Sequence, residues 1–356
     1  MSRVLIANVF KDESWFAMCH RLAHELAKDN EVVYMSFRPF YKEPVSLMDG
    51  KLTVYSWTSK ARPTGMRDAI HFIRIYLRHR PQIVIGHFVG SNICIPLSKV
   101  LSLFQVRTFE WYHTLSRQIE LDGTGIPFFR KLRRRLFYRF FCDTVVPVSE
   151  MAARDYRAVF GLRNYKVVLN AIKDEYRGVD ANFSQGKIKV GFIGRFLAHK
   201  GLDVLIDLIE GLPPDRFTFH IAGEGPQKKK LETRVGENVI MEGLLPYFKI
   251  REFIEGCHVI VVPSYADAFN VVGIENLMLK RCLVLSSMTG LSEYLKDQED
   301  AIICNPNAEE FKAALMRLDA DRILMSRISS KGRETFLERF STDAHIKNVK
   351  KLIFDS

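Results

Sequence analysis

The sequence predicts an α/β protein built from two doubly wound, parallel-sheet domains in tandem. Strand-like and helix-like segments alternate along the chain, which is the pattern of parallel strands joined by crossover helices. The alternation stops at a polar segment, 173–186, and then starts again. A chain of 356 residues is long enough for about two domains. We therefore predict domains at 1–173 and 187–340 that face each other across a central ligand cleft.

In the first half, runs rich in β-branched and aromatic residues predict the strands, and apolar residues at helical spacing predict the helices. The predicted strands are 3–9, 31–36, 52–55, 83–86, 107–111, 144–147 and 167–169. The predicted helices are 14–28, 64–78, 92–104 and 128–141.

The same signals return after the polar segment. They predict strands at 188–193, 217–222, 239–241, 259–263 and 282–286. They predict helices at 201–210, 226–234, 248–256, 272–280 and 308–318, followed by a mostly helical stretch at 324–354. A second set of alternating elements indicates a second sheet of the same kind.

Composition and charge narrow the class of protein. The 47% hydrophobic and 26% charged residues are typical of a globular chain and exclude disorder. The six cysteines are scattered without a CxxC pair, which argues against a zinc or redox site and fits a reducing cytoplasm. The N-terminus enters a strand without a signal core, and no apolar run reaches about 18 residues, so we expect a cytoplasmic protein. The net charge of +11 predicts an acidic partner, for which nucleic acid, an anionic membrane and a phosphorylated metabolite all qualify.

The first loop of the second domain carries two cations. A strand ends at Ile193, Gly194 lets the backbone turn, and Arg195 and Lys200 precede the next helix. Two cations beside a helix N-terminus form an anion site, because the helix dipole adds roughly half a positive charge there. Arg195 can hold a phosphate through two hydrogen bonds, while Lys200 acts as a point charge. The alternative is a pair of solvated surface cations on a common strand–turn–helix unit.

Two carboxylates, Asp267 and Glu275, lie eight positions apart near the carboxyl end of a later strand. The first lies in a turn-rich loop, and the second lies on the helix that this loop opens. Open α/β sheets bind ligands at this edge, and ionised carboxylates accept hydrogen bonds from hydroxyl groups. The pair therefore predicts a ligand rich in hydroxyls.

Other strand ends give weaker signals. Gly223, in a Gly-Glu-Gly-Pro turn, fits a plain tight turn with proline at the first helical position better than a ligand contact. The sequence has neither GxGxxG nor the P-loop GxxxxGK[ST], so the usual dinucleotide and ATP sites lack support. His87 and His113 each follow a strand and can face the cleft, although a lone histidine is more often a structural residue.

The segment Phe128–Phe141 predicts a basic amphipathic helix. It has six arginine or lysine residues and no acid, and four apolar residues share one helical face: Phe129, Leu132, Leu136 and Phe140. One interpretation is a surface helix whose apolar side packs on the sheet. The other is an interfacial helix that binds an anionic membrane surface. The Asp-x-Asp at 319–321 lies at a predicted helix end away from the strand termini, so no metal site is expected there.

Together these segments resemble the retaining glycosyltransferases of family 4, which have the GT-B fold. The resemblance covers nearly the whole chain and is strongest at 190–293. GFIGRFLAHKGLDVLI resembles the family's G-R-x-x-x-x-K-G segment, IAGEGP its glycine turn, and PSYADAFNVVGIENLMLKRCLVLSS its E-x7-E segment. WYHT resembles the family's F-H-T, and VVLNAI resembles the end of its first domain. FLERFS resembles the C-terminal helix that crosses back to that domain, here at about 341–356.

The resemblance implies a role for each matching residue. Arg195 and Lys200 would bind the donor diphosphate. Asp267 would contact the hydroxyls of the transferred sugar, Glu275 the nucleotide ribose, and His113 would lie beside the reacting sugar. Backbone groups would complete the expected donor site, at Gly194, Gly223, Glu242, Asn270, Val271 and Val272.

The sequence departs from the family pattern near these residues. Asp267 replaces the usual glutamate and is one methylene shorter, and Asn270 replaces the usual glycine. Residues 289–293 read TGLSE where many members read G-G-x-P-E. Residues 8–11 read NVFK in place of a glycine-rich loop, which leaves the acceptor contacts open.

The predicted reaction moves a sugar from a UDP- or GDP-linked donor to a hydroxyl, with retention of the anomeric configuration and without a metal or other cofactor. Arg195, Lys200 and a helix N-terminus would stabilise the leaving diphosphate, and no acid is an obvious nucleophile for a double displacement. The basic helix predicts a glycan or lipid-linked acceptor at the inner face of the membrane, as in assembly of bacterial surface polysaccharide, lipopolysaccharide or glycolipid. Two alternatives remain: a GT-B epimerase or phosphorylase, and a basic nucleic-acid-binding protein, although no nucleic-acid motif is present.

Overall fold

The first sheet of the computed structural model contains seven strands. They are β1 Arg3–Asn8, β2 Glu31–Ser36, β3 Val45–Leu47, β4 Leu52–Ser56, β5 Ile83–His87, β6 Arg107–Tyr112 and β7 Thr144–Pro147. The helices of this half are α1 Glu13–Ala27, α2 Met66–His79, α3 Ser91–Leu101, α4 Ser116–Leu121, α5 Phe128–Phe141 and α6 Glu150–Phe160. The structure describes residues 1–8, 13–37, 41–59, 65–87, 91–123, 125–183, 186–234 and 236–355, so the loop after β1 lies outside the described residues.

The second sheet contains six strands. They are β8 Ile188–Ile193, β9 Phe217–Ala222, β10 Val239–Gly243, β11 Val259–Val262, β12 Cys282–Ser286 and β13 Ile302–Cys304. The helices of this half are α7 Leu202–Gly211, α8 Lys228–Glu232, α9 Tyr247–Glu255, α10 Val271–Met278, α11 Ala308–Ala320 and α12 Arg322–Thr335. A π-helical turn, Phe336–Phe340, leads into the last helix, α13 Thr342–Phe354.

Both sheets are doubly wound. The strand orders are β3-β4-β2-β1-β5-β6-β7 and β10-β9-β8-β11-β12-β13. Neighbouring strands are parallel except β3 with β4. The order reverses between β1 and β5 in the first sheet and between β8 and β11 in the second, and such switch points open crevices for ligands. The predicted α/β class with two Rossmann-like sheets is confirmed.

The central strands explain why the sequence adopts this architecture. The five residues of β5 and the four of β11 are all buried. A parallel sheet with helices on both faces needs strands that are apolar on both sides, and such strands read as continuous hydrophobic runs. No helix among the described residues has the length and apolar content that crossing a bilayer requires.

The C-terminal helix returns to the first sheet. Asp343, at its start, pairs with Arg21 of α1 at 2.9 Å, and near its end the carbonyl of Ile353 accepts a hydrogen bond from Nη1 of Arg107 at 2.9 Å. The chain crosses beside Ile172, whose backbone N–H donates to the carbonyl of Phe340 at 3.1 Å. The helix therefore ties the end of the chain to its first half.

Several short elements differ from the prediction. The strand predicted at 167–169 is wrong: the bridge to β7 lies just before it, at Tyr165, and Lys166 and Val168 donate only single backbone hydrogen bonds to β7. The three-residue strands β3 and β13 are too short for a periodic signal. Helix α6 was missed although its signals are present: Ser149 accepts from the N–H of Ala152, and Gly161 ends the helix with a φ of 67°.

Helix α5 has the predicted bounds, and its orientation excludes one of the two interpretations of its apolar face. Its buried side chain is Tyr138, whose ring packs with those of Tyr112, Tyr156 and Phe160. These rings come from β6 and α6. The interpretation that the apolar face packs on the sheet is therefore wrong, since the members of that face are exposed: Phe129, Leu132, Leu136 and Phe140.

Candidate active site

The cation loop and the first carboxylate meet at the switch point of the second sheet. Arg195 and Lys200 lie in the loop after β8, and Asp267 lies in the loop after the neighbouring strand β11. Lys200 Nζ is 2.6 Å from Oδ2 of Asp267, and the two side chains are only 20% and 10% exposed. The structure thus brings together two groups that the sequence separates by 67 positions.

Gly201 holds the cation loop against the end of β11. Its φ is 71°, and a Cβ atom there would lie 2.0 Å from the carbonyl oxygen of Pro263. Both the left-handed backbone and this close contact exclude a side chain at position 201. The N–H of Tyr265 also donates to the carbonyl of His199 at 2.9 Å. These contacts fix the turn that carries Lys200.

The glycine turn after β9 is a packing feature. A Cβ atom on Gly223 would lie 1.9 Å from the carbonyl oxygen of Gly194, whereas a Cβ atom on Gly194 would meet only the Phe192 ring at 3.9 Å. The N–H of Gly223 donates to the carbonyl of Gly243 at 2.8 Å. The requirement for glycine therefore lies at Gly223, which packs on the cation loop, and not at Gly194.

The carboxylate of Asp267 is nearly saturated with donors. Oδ1 accepts the backbone N–H of Phe269 at 3.2 Å, and Oδ2 accepts Nδ2 of Asn270 at 3.0 Å as well as Lys200 Nζ at 2.6 Å. A carboxylate offers about four lone-pair directions. About one direction, on Oδ1, is left for a ligand hydroxyl.

These donors also keep Asp267 ionised. Burial by itself raises the pKa of the carboxyl group, but the charge and hydrogen bond of Lys200 and the hydrogen bonds from Asn270 and Phe269 outweigh it. The pKa of Asp267 is therefore lowered from its usual value. The group is an anion at neutral pH and a hydrogen-bond acceptor, not an acid.

Asn270 joins the carboxylate to helix α10. Its Oδ1 accepts the N–H of Gly273 at 2.7 Å and so caps the helix, while its Nδ2 reaches Asp267. Its φ of 82° lies in the region that favours glycine and that asparagine tolerates best among other residues. Val271 and Val272 form the first turn of the helix, where N–H groups lack intrahelical acceptors and face outward along the helix axis.

Arg195 is the exposed cation of the site. Its side chain is exposed, and none of the acidic groups in the described part of the chain pairs with it. Lys200, by contrast, is already held by Asp267. The two cations of the loop therefore differ: Arg195 is open to an added anion, and Lys200 is fixed beside the carboxylate.

Glu275 is buried on α10 and lines a cavity whose walls do not include Asp267. The cavity has a volume of about 290 Å³, and its other walls come from Ile172, Lys173, Tyr247 and Arg251. The cavity therefore lies between helix α9 and the segment around Ile172, where the chain passes from one half to the other.

Glu242 lies apart from these groups. Its Oε1 is 3.2 Å from Nδ1 of His220, in a groove that Lys249 and Cys257 also line. The structure does not bring the Glu242 side chain together with Asp267 or Lys200. Only its backbone, at the carboxyl end of β10, remains a candidate for a ligand contact.

His113 lies beside a second histidine at the switch edge of the first sheet. Its Nε2 is 3.5 Å from Nδ1 of His87, which ends β5 opposite Asn8 of β1. Burial, followed by the charges of His87 and His345, holds the pKa of His113 well below its usual value. His113 is therefore neutral at neutral pH.

Three contacts between the two halves were not foreseen. Asp122, after α4, holds the ring of His199 in the cation loop. Ser149 Oγ donates to the carbonyl of Ala268 at 2.6 Å, next to Asp267. Glu293 accepts the N–H of Met151 at 2.7 Å and pairs with Arg154, and it lies in the TGLSE segment that departs from the family pattern. Periodicity and motif spacing carry no signal for such pairs.

The Asp-x-Asp at 319–321 has structural partners. Asp319 pairs with Arg216 and Arg322, and Asp321 Oδ1 accepts the N–H of Leu324 at 2.8 Å and so caps α12.

Comparisons with known proteins agree with this geometry. Two family models match consecutive parts of the chain: "Glycosyltransferase Family 4" at residues 17–176 and "Glycosyl transferases group 1" at residues 177–335. An uncharacterised glycosyltransferase of Methanocaldococcus jannaschii is 27% identical over 54% of this chain and 54% of its own length. The poly(ribitol-phosphate) alpha-N-acetylglucosaminyltransferase of Staphylococcus aureus is 25% identical over 56% of this chain and 41% of its own length. The chain thus matches about half the length of these relatives.

Solved structures share the fold over the whole chain. Sucrose-phosphate synthase from Thermosynechococcus elongatus has a TM-score of 0.80 at 16% identity and covers 99% of this chain and 98% of its own. The Anabaena protein HepE, solved with UDP-glucose, has a TM-score of 0.77 at 14% identity with full coverage of both chains. These likenesses show the GT-B fold. The two family models, which together match residues 17–335, show that the chain belongs to glycosyltransferase family 4.

Proposed function

We propose that the protein is a retaining glycosyltransferase that moves a sugar from a UDP- or GDP-linked donor to a hydroxyl group of a glycan or lipid-linked acceptor. One observation carries the proposal: an exposed Arg195 and a buried Lys200–Asp267 pair lie together at the switch point of the second sheet. A cation that can bind phosphate and an acceptor that can bind a sugar hydroxyl therefore share one edge, which supports the proposal.

Each group has a role in the proposal. Arg195 binds the diphosphate, because it is exposed, planar and without an acidic partner among the described residues. The first turn of α10, at Val271 and Val272, adds N–H groups and the positive end of a helix dipole. The open lone pair of Asp267 accepts a sugar hydroxyl, and Glu275 accepts the ribose hydroxyls from its own cavity.

The proposed chemistry is a front-side displacement. The bond between the anomeric carbon and the diphosphate oxygen breaks, and the acceptor oxygen bonds to the same face of that carbon. The acceptor proton passes to the departing phosphate oxygen, so no protein base is needed. Arg195 and Lys200 stabilise the negative charge that builds on the diphosphate. His113, which is neutral and follows β6 in the other half, would lie beside the reacting sugar.

Binding and turnover test this assignment separately. A thermal-shift screen against nucleotide diphosphates should find one that stabilises the fold, by about 2.7 kcal/mol at a hundredfold its dissociation constant. UDP-glucose is the first donor to test, since the related Anabaena fold was solved with it. Arg195→Ala should then lower kcat by about a hundredfold or more. The matched control is Arg234→Ala, which removes an exposed arginine that pairs with Glu210. Equal turnover in both variants would remove Arg195 from the mechanism.

Product analysis tests the remaining points. Retention predicts that the product has the donor's anomeric configuration, which the anomeric proton coupling measures. Turnover that persists in excess chelator supports charge stabilisation by the chain itself, and loss of turnover restored by a divalent cation refutes it. Release of free nucleotide diphosphate only in the presence of an acceptor separates transfer from an epimerase or phosphorylase.

We also propose that α5 docks on an anionic membrane surface. Its apolar face is exposed, with Phe129 at 81%. Leu103, at 81% exposure, and Phe104, whose ring contacts Phe141, extend this face from the end of α3. The six cations of α5 form no ion pair with any acid among the described residues. A membrane with anionic headgroups and an apolar interior can bind both the cations and the exposed apolar face of α5. This supports a peripheral protein at the inner face of the cytoplasmic membrane.

Sedimentation with liposomes tests the membrane proposal. At about 1 kcal/mol for each cation near the surface, the triple variant Arg130→Gln, Arg133→Gln, Arg135→Gln should weaken binding by roughly a hundredfold. The matched control is the triple variant Lys228→Gln, Lys229→Gln, Lys230→Gln on α8, which should bind liposomes like the wild type. No sedimentation at physiological salt refutes the proposal. If the protein binds an anionic polymer but not liposomes, the basic surface of α5 would instead be assigned to an anionic polymer acceptor.

A further inference from the structure

One side-chain contact links the two halves directly at the cation loop. Asp122 follows α4 in the half that contains the first sheet, and His199 lies in the short helical turn Ala198–Lys200 of the other half. His199 Nδ1 is 2.9 Å from Oδ1 and 2.8 Å from Oδ2 of Asp122. Its backbone N–H also points at Oδ1, at 3.4 Å. A single carboxylate therefore holds both the ring and the backbone of this turn.

The His199 ring is buried at this contact, while the Asp122 side chain keeps 23% exposure. His199 is 2% exposed, although it lies on a loop at the edge of the cleft. Its Nε2 is shielded from solvent and has no partner in the described part of the chain. An imidazole with one unsatisfied nitrogen is costly to bury, so its burial requires the compensating contact with Asp122. Separation of the halves would remove this contact and leave the His199 ring without its Asp122 partner.

The protonation of the ring suits this contact. Because a carboxylate only accepts hydrogen bonds, Nδ1 must carry the proton that faces Asp122. Burial and the charge of Lys200 lower the pKa of His199 against the opposing effect of Asp122, so the neutral ring with its proton on Nδ1 fits both neighbours.

His199 also connects Asp122 to the candidate donor site. Its carbonyl accepts the N–H of Tyr265, which lies in the same loop as Asp267. The next residue, Lys200, is the partner of Asp267. A continuous series of contacts therefore runs from Asp122 across the cleft to the Lys200–Asp267 pair.

We infer that Asp122 is a positioning residue for the donor site: through His199 it fixes the cation loop when the two halves close, and so couples closure to binding of the nucleotide diphosphate. The inference rests on the proposed function for the identity of the ligand. Asp122 touches neither Arg195 nor Asp267 in this arrangement, and acts through His199.

The test measures closure and binding separately. The six native cysteines are buried, so spin labels can be placed on cysteines introduced at the exposed positions Arg157, on α6, and Lys230, on α8. Electron–electron distance measurements then report the separation of the halves without any activity. Calorimetry with the nucleotide diphosphate found for the wild-type protein reports affinity.

Asp122→Asn should lengthen the distance distribution and weaken nucleotide binding by about tenfold, as expected for loss of a charge-assisted hydrogen bond. His199→Ala should have the same effect, and the double variant no more than either. His199→Gln keeps an N–H donor and should restore much of the closed distribution. Asp207→Asn, which removes an exposed partner of Arg234, is the control and should match the wild type.

An unchanged distance distribution in Asp122→Asn overturns the inference whatever the affinity, and an unchanged affinity overturns the coupling to the donor. If Asp122→Asn fails to fold, His199→Ala and His199→Gln decide the question. A wild-type protein that binds no nucleotide diphosphate refutes the proposed function, and the distance measurements then still show whether Asp122 closes the cleft.

Discussion

Asp267→Asn tests the central pair of the site with little change in shape. In the native loop one oxygen accepts the N–H of Phe269, while the other accepts Lys200 and Asn270. An amide cannot replace both oxygens. In one orientation its NH2 group faces Lys200 and Asn270, and in the other it faces the N–H of Phe269. Either way a donor meets a donor, and Lys200 loses its counter-charge.

The cost follows from the burial of Lys200. Removing one partner of a buried ion pair costs about 3–5 kcal/mol. The Lys200 side chain retains 20% exposure, so the lower end applies, about 3 kcal/mol. For a chain of this size, about 2 °C of melting temperature corresponds to 1 kcal/mol, so the expected shift is about 6 °C.

The pH dependence of this difference has a definite sign. The pKa of Asp267 is lowered in the folded protein, so its contribution to the free energy of unfolding is fully present above the unfolded value of about 3.9. It is lost as the pH falls through the lower, folded value. The free energies of unfolding of the wild type and Asp267→Asn should therefore differ most at neutral pH, and the difference should shrink as the pH falls below about 4.

Denaturant unfolding of Asp267→Asn, Lys200→Met and the double variant measures the pair itself. The coupling energy of the double-mutant cycle should be about 2 kcal/mol. A coupling below about 0.5 kcal/mol, which is the level of an exposed pair, would refute the argument that burial makes this contact strong. A difference that persists unchanged at pH 3 would refute the assignment of the ionised form.

Three further predictions concern the same loops. Gly201→Ala should destabilise the fold by several kcal/mol, while Gly194→Ala should cost less than about 1 kcal/mol; equal melting temperatures would contradict the packing described for Gly201. Asp267→Glu should lower the melting temperature more by itself than when it is combined with Asn270→Gly. Strictly additive shifts in melting temperature would show that the two side chains are independent. Because His113 is neutral through the physiological range, kcat/KM should show no acid limb near pH 6.5; such a limb that disappears in His113→Gln would contradict its lowered pKa.

The sequence predicted the parts of the site that follow from strand ends. Arg195, Lys200 and Asp267 all lie just after buried strands, and carboxyl ends of parallel strands share one edge. Their convergence therefore needed only the strand positions, which the continuous apolar runs made visible. Glu242 shows the limit of this reasoning. The sequence predicts a strand at 239–241 and only a backbone contact at Glu242, so it does not say where this side chain points; the structure pairs it with His220.

Contacts between the two halves could not be predicted in the same way. Asp122 and His199 are 77 positions apart, and neither follows a period or a motif. Their pairing depends on how the two sheets are oriented, which local sequence does not encode. Helix α5 gives a related lesson. Its spacing identified an apolar face correctly, but periodicity does not say what covers a face, and here the ring cluster around Tyr138 took the place on the sheet.

The two departures from the family pattern in the donor loop are best understood as one feature. A glutamate would reach one methylene further than Asp267, and a glycine at position 270 would place no side chain beside it. Asp267 is shorter, and Asn270 brings an amide to its Oδ2 at 3.0 Å while capping α10 with its own Oδ1. The asparagine thus supplies both a donor for the shortened carboxylate and a cap for the helix. It does so at a φ of 82°, a strained backbone that its two hydrogen bonds compensate. The shorter acid is therefore anchored to the helix whose N-terminus it adjoins. This rigidity favours a direct hydrogen bond from the remaining lone pair to a sugar hydroxyl, because a fixed acceptor needs no reorganisation when the ligand arrives.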